Sequence, residues 1–378
     1  MNGAFTDWHP PLMAEIWSLL GGSVPAMLGL QVGLHWLGFW GLAESLRRDG
    51  VGKWAWAMLA VGLTPIAIKY TGVIQKDTLL ASFFISAFGL AAVTRGHWLA
   101  LVLGGAGSLC SANGVFALPP LVLMRLKEMK RLPAAGLCLV GAALLIPISG
   151  VVNHDVLQAE RTGVERSLQL FDLAGIAHFS GDPGILPLGT ERAQRCYTPL
   201  FWDPLVGPDC VGPLKGLPAS LTGAWVHAIA RHPIAYATHR IAHFNKTIFF
   251  VVPPMQQCVD APSYHQCDFS RRGLVVDFLT KNALLWPVTW LAIGFMLLFG
   301  ELHPVSRAIT MSGLLYGSAY LLVGVAADFR YFYWTELAVQ AAIVFQLGQT
   351  GRLPRWKLVA GSVAAVWLVG YSARLAML

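Results

Sequence analysis

Charge is what this sequence has least of. Asp, Glu, Lys and Arg make up 12% of its 378 residues, against about 25% in an ordinary soluble domain. With so few charges, 55% hydrophobic residues and a mean hydropathy of +0.57, a water-solvated globule is excluded as the fold class. Blocks of like charge are missing too. The formal net charge is +7, but the basic residues sit in short loops between apolar runs, which is a membrane-topology signal rather than a nucleic-acid face. Tight Cys-x-x-Cys pairs are absent, so the commonest zinc spacing is missing. No internal repeat is visible and the apolar runs are nearly free of charge, both unlike a transporter or lipid flippase.

What is present is a series of apolar stretches approaching the ~20 residues needed to cross hydrocarbon. The expected spans are 24–46, 54–72, 78–94, 98–111, 114–124, 133–151, 283–300, 306–325, 331–349 and 358–375. They predict an all-α polytopic membrane protein of about ten transmembrane helices with a mixed extracytoplasmic domain. The basic clusters are Arg47, Arg48 and Lys53; Arg95; Arg125, Lys127, Lys130 and Arg131; Arg307; and Arg352, Arg355 and Lys357. All five fall on the cytoplasmic side if 98–124 crosses twice, turning near Ser111-Ala112-Asn113, as the positive-inside bias favours. The chain then divides into an N-terminal transmembrane block (1–151), an extracytoplasmic domain (152–282) and a C-terminal transmembrane block (283–378).

That topology gathers the unusual polar groups on one face. Asp7, the Lys76-Asp77 loop, the segment 152–282 and the turn Asp328-Phe329-Arg330 all land outside. The external segment carries Cys196, Cys210, Cys258 and Cys267. Disulfides are expected there, with Cys196–Cys210 and Cys258–Cys267 as the short-range pairing among three possible ones. A zinc site using His265 is the rival. Cys110 and Cys138, inside apolar runs, read as packing residues. In 230–250, His232, Tyr236, His239 or Arg240, and His243 recur at helical spacing, opposite Ile234, Ala235, Ala237, Ile241 and Ala242. This reads as a helix on the membrane surface, its basic stripe either anchoring to headgroups or clamping a lipid-borne phosphate.

Two carboxylates stand out. Asp77 opens an apolar helix, where capping and the helix dipole alone would account for it. Asp7 stands in Asp7-Trp8-His9-Pro10-Pro11, whose prolines suit the first turn of a helix. The following residues put Leu12, Met13, Ile16, Leu19 and Leu20 on one side, with Glu15 and Ser18 elsewhere, as in an interfacial helix.

FTDWHPPLMAEIW (5–17) resembles the first external loop of the GT-C superfamily, polytopic glycosyltransferases that use polyprenyl-phosphate sugars. That superfamily includes the protein O-mannosyltransferases and lipid A aminoarabinose transferases. KDTLLASFF (76–84) resembles the family's second acidic position, and DFRYFYWTELAV (328–339) its late Arg-Tyr turn. The family pattern has one transmembrane helix before the acidic loop, so an upstream helix is expected here.

The resemblance implies inverting transfer of a sugar, a hexose or pentose, from a polyprenyl-phosphate donor to a hydroxyl on a lipid, glycan or protein. The reaction would occur on the extracytoplasmic face of a bacterial inner membrane. A phosphate leaving group needs little protonation, so one base and a set of cations suffice. Asp7 is the expected base, and Asp77 is expected to assist acceptor positioning or support the site. Lys76, His232, Arg240 and Arg330 are expected at the donor phosphate, Tyr331 among the substrate-binding residues, with His9 shaping the pocket and Glu15 as a secondary acidic group. No metal cofactor is implied, although family members with other acidic pairs use a divalent ion. An O-antigen-ligase-like enzyme, with its Arg/His-rich external loop, is the nearest alternative. A base in the first loop favours the GT-C reading.

Overall fold

A computed structural model describes residues 5–93, 98–124, 131–187, 190, 192–213, 216–218, 220–252, 259–261, 264–266 and 282–377. Among these the chain is almost entirely helical. Among the described residues the one pair of named strands is a short antiparallel hairpin, β1 (Val259–Ala261) and β2 (Tyr264–Gln266). The basic residues Arg95, Arg125, Lys127 and Lys130, and the cysteines Cys258 and Cys267, lie outside the described residues.

The helices fall where the hydropathy pattern puts them. They are α1 (Leu12–Leu19), α2 (Val24–Arg48), α3 (Gly52–Val61), α4 (Pro65–Thr71), α5 (Lys76–Val93), α6 (Trp98–Leu109), α7 (Pro119–Leu123) and α8 (Arg131–Val151). After them come α9 (Glu165–Ser180), α10 (Ala193–Cys196), α11 (Thr222–Arg231) and α12 (Pro233–Thr247). The last four are α13 (Pro287–Leu298), α14 (Pro304–Val323), α15 (Tyr333–Thr350) and α16 (Trp356–Ala376). Three stretches, Lys76–Val93, Gly136–Val156 and Trp356–Ala376, are long and apolar enough to cross a membrane. The pair α1 and α2 passes the same test together, bent by 117°.

One expected span is corrected. The stretch 54–72 is not continuous: α3 ends at Val61 and α4 restarts at Pro65, because a proline there has no N–H to donate and its ring clashes with the preceding turn. The stretch 98–124 does fold back, with Gly104 of α6 packed against Leu118 and Leu121. Its arms, α6 and the 112–123 segment, are apolar but short. At 1.5 Å per residue each arm is shorter than the ~30 Å hydrocarbon core.

The residues divide into two compact units. The first comprises 1–161, 289–318 and 330–365. At its centre is α5, apolar on every side and buried over most of its length, as a helix surrounded by other helices must be. It meets α2 along a glycine seam. A Cβ on Gly38 would come within 2.3 Å of the Ile85 carbonyl carbon, and one on Gly89 within 2.3 Å of the Gly38 oxygen. Only glycine lets the two backbones approach this closely, which is how helices pack where apolar burial gives little drive. Phe84 and Phe88 of α5 stack on Trp334 of α15, whose indole N–H donates to Ser312.

The second unit comprises 162–288, 319–329 and 366–378. Its core is built from Leu170, Phe171, Leu173, Ile176, Trp202 and Leu205, among others, with α11 and α12 packed on α9. Cys196 and Cys210 form a disulfide, as expected. The strand-like residues 200–202 pair with 325–327, which is why part of the C-terminal block belongs to this unit.

Candidate active site

The first unit gathers residues from three distant stretches around Asp77. Asp77 occupies the first turn of α5, where an acid complements the helix dipole, and is only 2% exposed. The Tyr316 hydroxyl of α14 donates to its Oδ1 at 3.2 Å. The Arg330 guanidinium, from the short helical turn Phe329–Phe332, brings Nε within 3.8 Å of Oδ2. Tyr331 lies beside the same guanidinium, 5.4 Å from ring centroid to Cζ, at cation–π range.

The N-terminal loop reaches this cluster through His9. Lys76 Nζ donates to His9 Nδ1 at 3.4 Å. Partial burial first, then the charges of Lys76 and Arg330, push the His9 imidazole down to about 4. It is therefore neutral near pH 7 and accepts from the ammonium rather than repelling it.

Asp7 is fixed by backbone and side chain together. Thr6 bridges Glu160 in parallel, with Asp7 N–H donating to the Glu160 carbonyl at 3.0 Å and Glu160 N–H to that of Phe5 at 2.8 Å. The His154 ring stands over the carboxylate, Nε2 at 3.7 Å from Oδ2, while its Nδ1 is 3.0 Å from the Ala159 carbonyl. Glu15 sits half-buried in the first turn of α1. Among the described residues no hydrogen bond or ion pair ties Glu15 to the Asp77 cluster.

His232 and Arg240 belong to the second unit. His232 precedes α12 and lies 3.6 Å from the Asp182 carboxylate. Arg240 is a correction: it does not face outward but inward, with Nη2 2.5 Å from Asp172 Oδ1 and Nη1 donating to the Gly324 carbonyl at 2.7 Å. His239 Nε2 donates to Asp172 at 3.0 Å and accepts from the Tyr197 hydroxyl at its Nδ1, 2.8 Å away. Trp225 donates to the other carboxylate oxygen at 2.7 Å. Burial lowers both His239 and His243, the latter to about 3. The physical cause of the inversion is Asp172. A carboxylate buried on α9 must be met by a cation and donors, and the stripe on α12 supplies them.

Two residues that sequence reasoning did not select complete the first-unit picture. Tyr316 lies in an apolar run and is separated from Asp77 by 239 positions, so nothing local signals its role. His154 stands in Asn153-His154-Asp155 at the end of a long apolar helix, a polar cluster that looks like an ordinary helix exit. Among the described residues, no group of three or more His, Cys, Asp or Glu side chains is placed to hold a metal ion. No family model matches the chain, and neither curated proteins nor solved structures yield a match.

Proposed function

We propose that this chain is an inverting membrane glycosyltransferase. It moves a sugar from a polyprenyl-phosphate donor to an acceptor hydroxyl on the extracytoplasmic face of a bacterial inner membrane, with about ten membrane-embedded helical segments as its scaffold. The observation that carries the reading is convergence within one unit. The Asp-Trp-His-Pro-Pro loop, the Lys76-Asp77 helix start and Arg330 come together through the His9–Lys76 and Asp77–Arg330 contacts.

The chemistry divides among these groups. Asp7 takes the proton of the acceptor hydroxyl. The freed oxygen pair forms a bond to the anomeric carbon on the face opposite the phosphate, and the carbon–oxygen bond to phosphate breaks with its electron pair passing to the phosphate. One displacement gives inversion. Arg330 and Lys76 supply positive charge where the phosphate departs, and Asp77 holds Arg330 in position. His154 gives the proton a further place to go. The Ala159 carbonyl only accepts, so it fixes the hydrogen on Nδ1 and leaves Nε2 facing Asp7. Apo hydrogen bonds of this kind are often long and tighten with substrate.

The test is Asp7→Asn in the full-length protein, reconstituted with a polyprenyl-phosphate sugar and a hydroxyl acceptor. Turnover should fall about 10²–10⁴-fold, the share of a general base, with unchanged thermal unfolding. Normal turnover removes the assignment.

A further inference from the structure

Helix α12 has two faces, and the outward one is apolar. Ala235, His239, Arg240, His243 and Thr247 are buried against the unit. The other side carries Ile234, Ala237, Thr238 and Ile241, at the i, i+3, i+4, i+7 spacing of a single stripe. Ile234 is 81% exposed and Ile241 63%. The neighbouring α11 adds Val226, also exposed. Large β-branched side chains clustered on the outside of a folded unit mark a surface that something covers.

What covers it is indicated by the joint at the end of α12. Past Thr247 the chain turns sharply through Phe249, which has φ +56°. Asn245 clamps the turn from both sides, its Nδ2 donating to the Val251 carbonyl at 2.7 Å and its Oδ1 accepting from Val251 N–H at 2.9 Å. Arg374, in the last turn of α16, then donates to the carbonyls of Phe249 and Phe250, each at 2.8 Å. Its guanidinium carbon lies 3.7 Å from the Trp286 ring centroid.

The helix that carries Arg374 is one of the three long and apolar enough to cross a membrane. Leu368, Val369 and Leu375 on its final turns are exposed. The end of α12 is thus fastened to the end of a helix long and apolar enough to cross a membrane, at a cluster of Trp286, Tyr371 and Arg374. Trp286 and Arg374 are buried in that joint, so packing ties the end of α12 to α16, while Leu375 stays exposed beside it. Ile241 lies about 9 Å along the helix from Thr247 and Ile234 about 20 Å, at 1.5 Å per residue.

We infer that α12 rests on the bilayer surface, with Ile234, Ile241 and Val226 seated at the headgroup–acyl boundary. Arg231, exposed at the end of α11, stands beside this stripe to meet anionic headgroups. The unit is then held against lipid at a second point besides its covalent membrane helices. This inference needs α16 to cross the membrane. It is independent of the chemistry proposed for Asp7.

The test uses full-length protein carrying Ile241→Cys or Ile234→Cys, labelled with an environment-sensitive fluorophore. It is reconstituted in phosphatidylethanolamine–phosphatidylglycerol vesicles, with the unsubstituted chain treated identically as the blank. Lipid bearing a nitroxide on its acyl chain should quench most of the emission, and aqueous iodide should leave it unchanged. Quenching by iodide but not by nitroxide overturns the inference. So does protection from both, because a second copy or another protein then covers the face. Ala237→Cys, on the same outward stripe, gives the same reading if either isoleucine variant folds poorly.

Discussion

Asp77 and Asp172 are both buried aspartates, 2% and 0% exposed, yet the arginines beside them differ sharply in exposure. Asp172 is met within 3.0 Å by two hydrogen-bond partners, His239 and Trp225, and by the Arg240 cation. The guanidinium that neutralises it is itself sealed, its side chain 3% exposed. Asp77 has the Tyr316 hydroxyl at 3.2 Å and Arg330 at 3.8 Å, and that arginine's side chain remains 35% exposed. Burial alone therefore does not mark a site. A sealed cation serves its own fold, whereas one still partly open to solvent can serve an anion that arrives.

Breaking the sealed pair should give the largest effect. Asp172→Ala strands the Arg240 charge in a dry core, at a cost of about 3–5 kcal/mol. We expect the second unit to lose cooperative thermal unfolding in detergent, or the protein to fail to accumulate. The double variant Asp172→Leu with Arg240→Met should recover much of that stability, since apolar replacement of both partners is often neutral or better. A mild effect of Asp172→Ala alone would erase the distinction.

The open pair should respond the other way. Arg330→Met ought to leave the unfolding temperature within a few degrees while lowering turnover about 10²-fold, the size seen when one electrostatic contact to developing charge is removed. Loss of stability without a specific loss of turnover would make Arg330 a second Arg240.

The same contrast explains how much was legible in the sequence. Lys76-Asp77 and Arg330 stood out because charge beside a membrane-length apolar run is costly and needs a reason. Asp7 stood out through the prolines after it. Hydropathy located the helices, and the proline at position 65 carried the signal for the break between α3 and α4. The facing of α12 was not legible. An amphipathic helix reads equally well with either face inward, and the choice was made by Asp172, more than sixty positions earlier. His154 and Tyr316 were hidden for the same reason: each gains meaning only from a partner brought close by folding, across 147 and 239 positions.

The smallest expected effect concerns His9, which tests whether the open site carries excess positive charge. Its imidazole is lowered to about 4 by partial burial and by Lys76 and Arg330, against an ordinary value near 6.5. A group with a depressed folded-state value binds fewer protons folded than unfolded between those two values. Its neutral form therefore costs nothing above about pH 6.5, and stability is lost as pH falls from there toward 4. His9→Gln should accordingly match the parent chain's unfolding temperature at pH 7.5 and exceed it slightly at pH 5. The double variant with Arg330→Met should narrow that gap, because one of the two cations opposing protonation is gone. Equal unfolding temperatures at both pH values would separate His9 from the cations and leave the Asp-Trp-His-Pro-Pro loop without its charge link to Asp77.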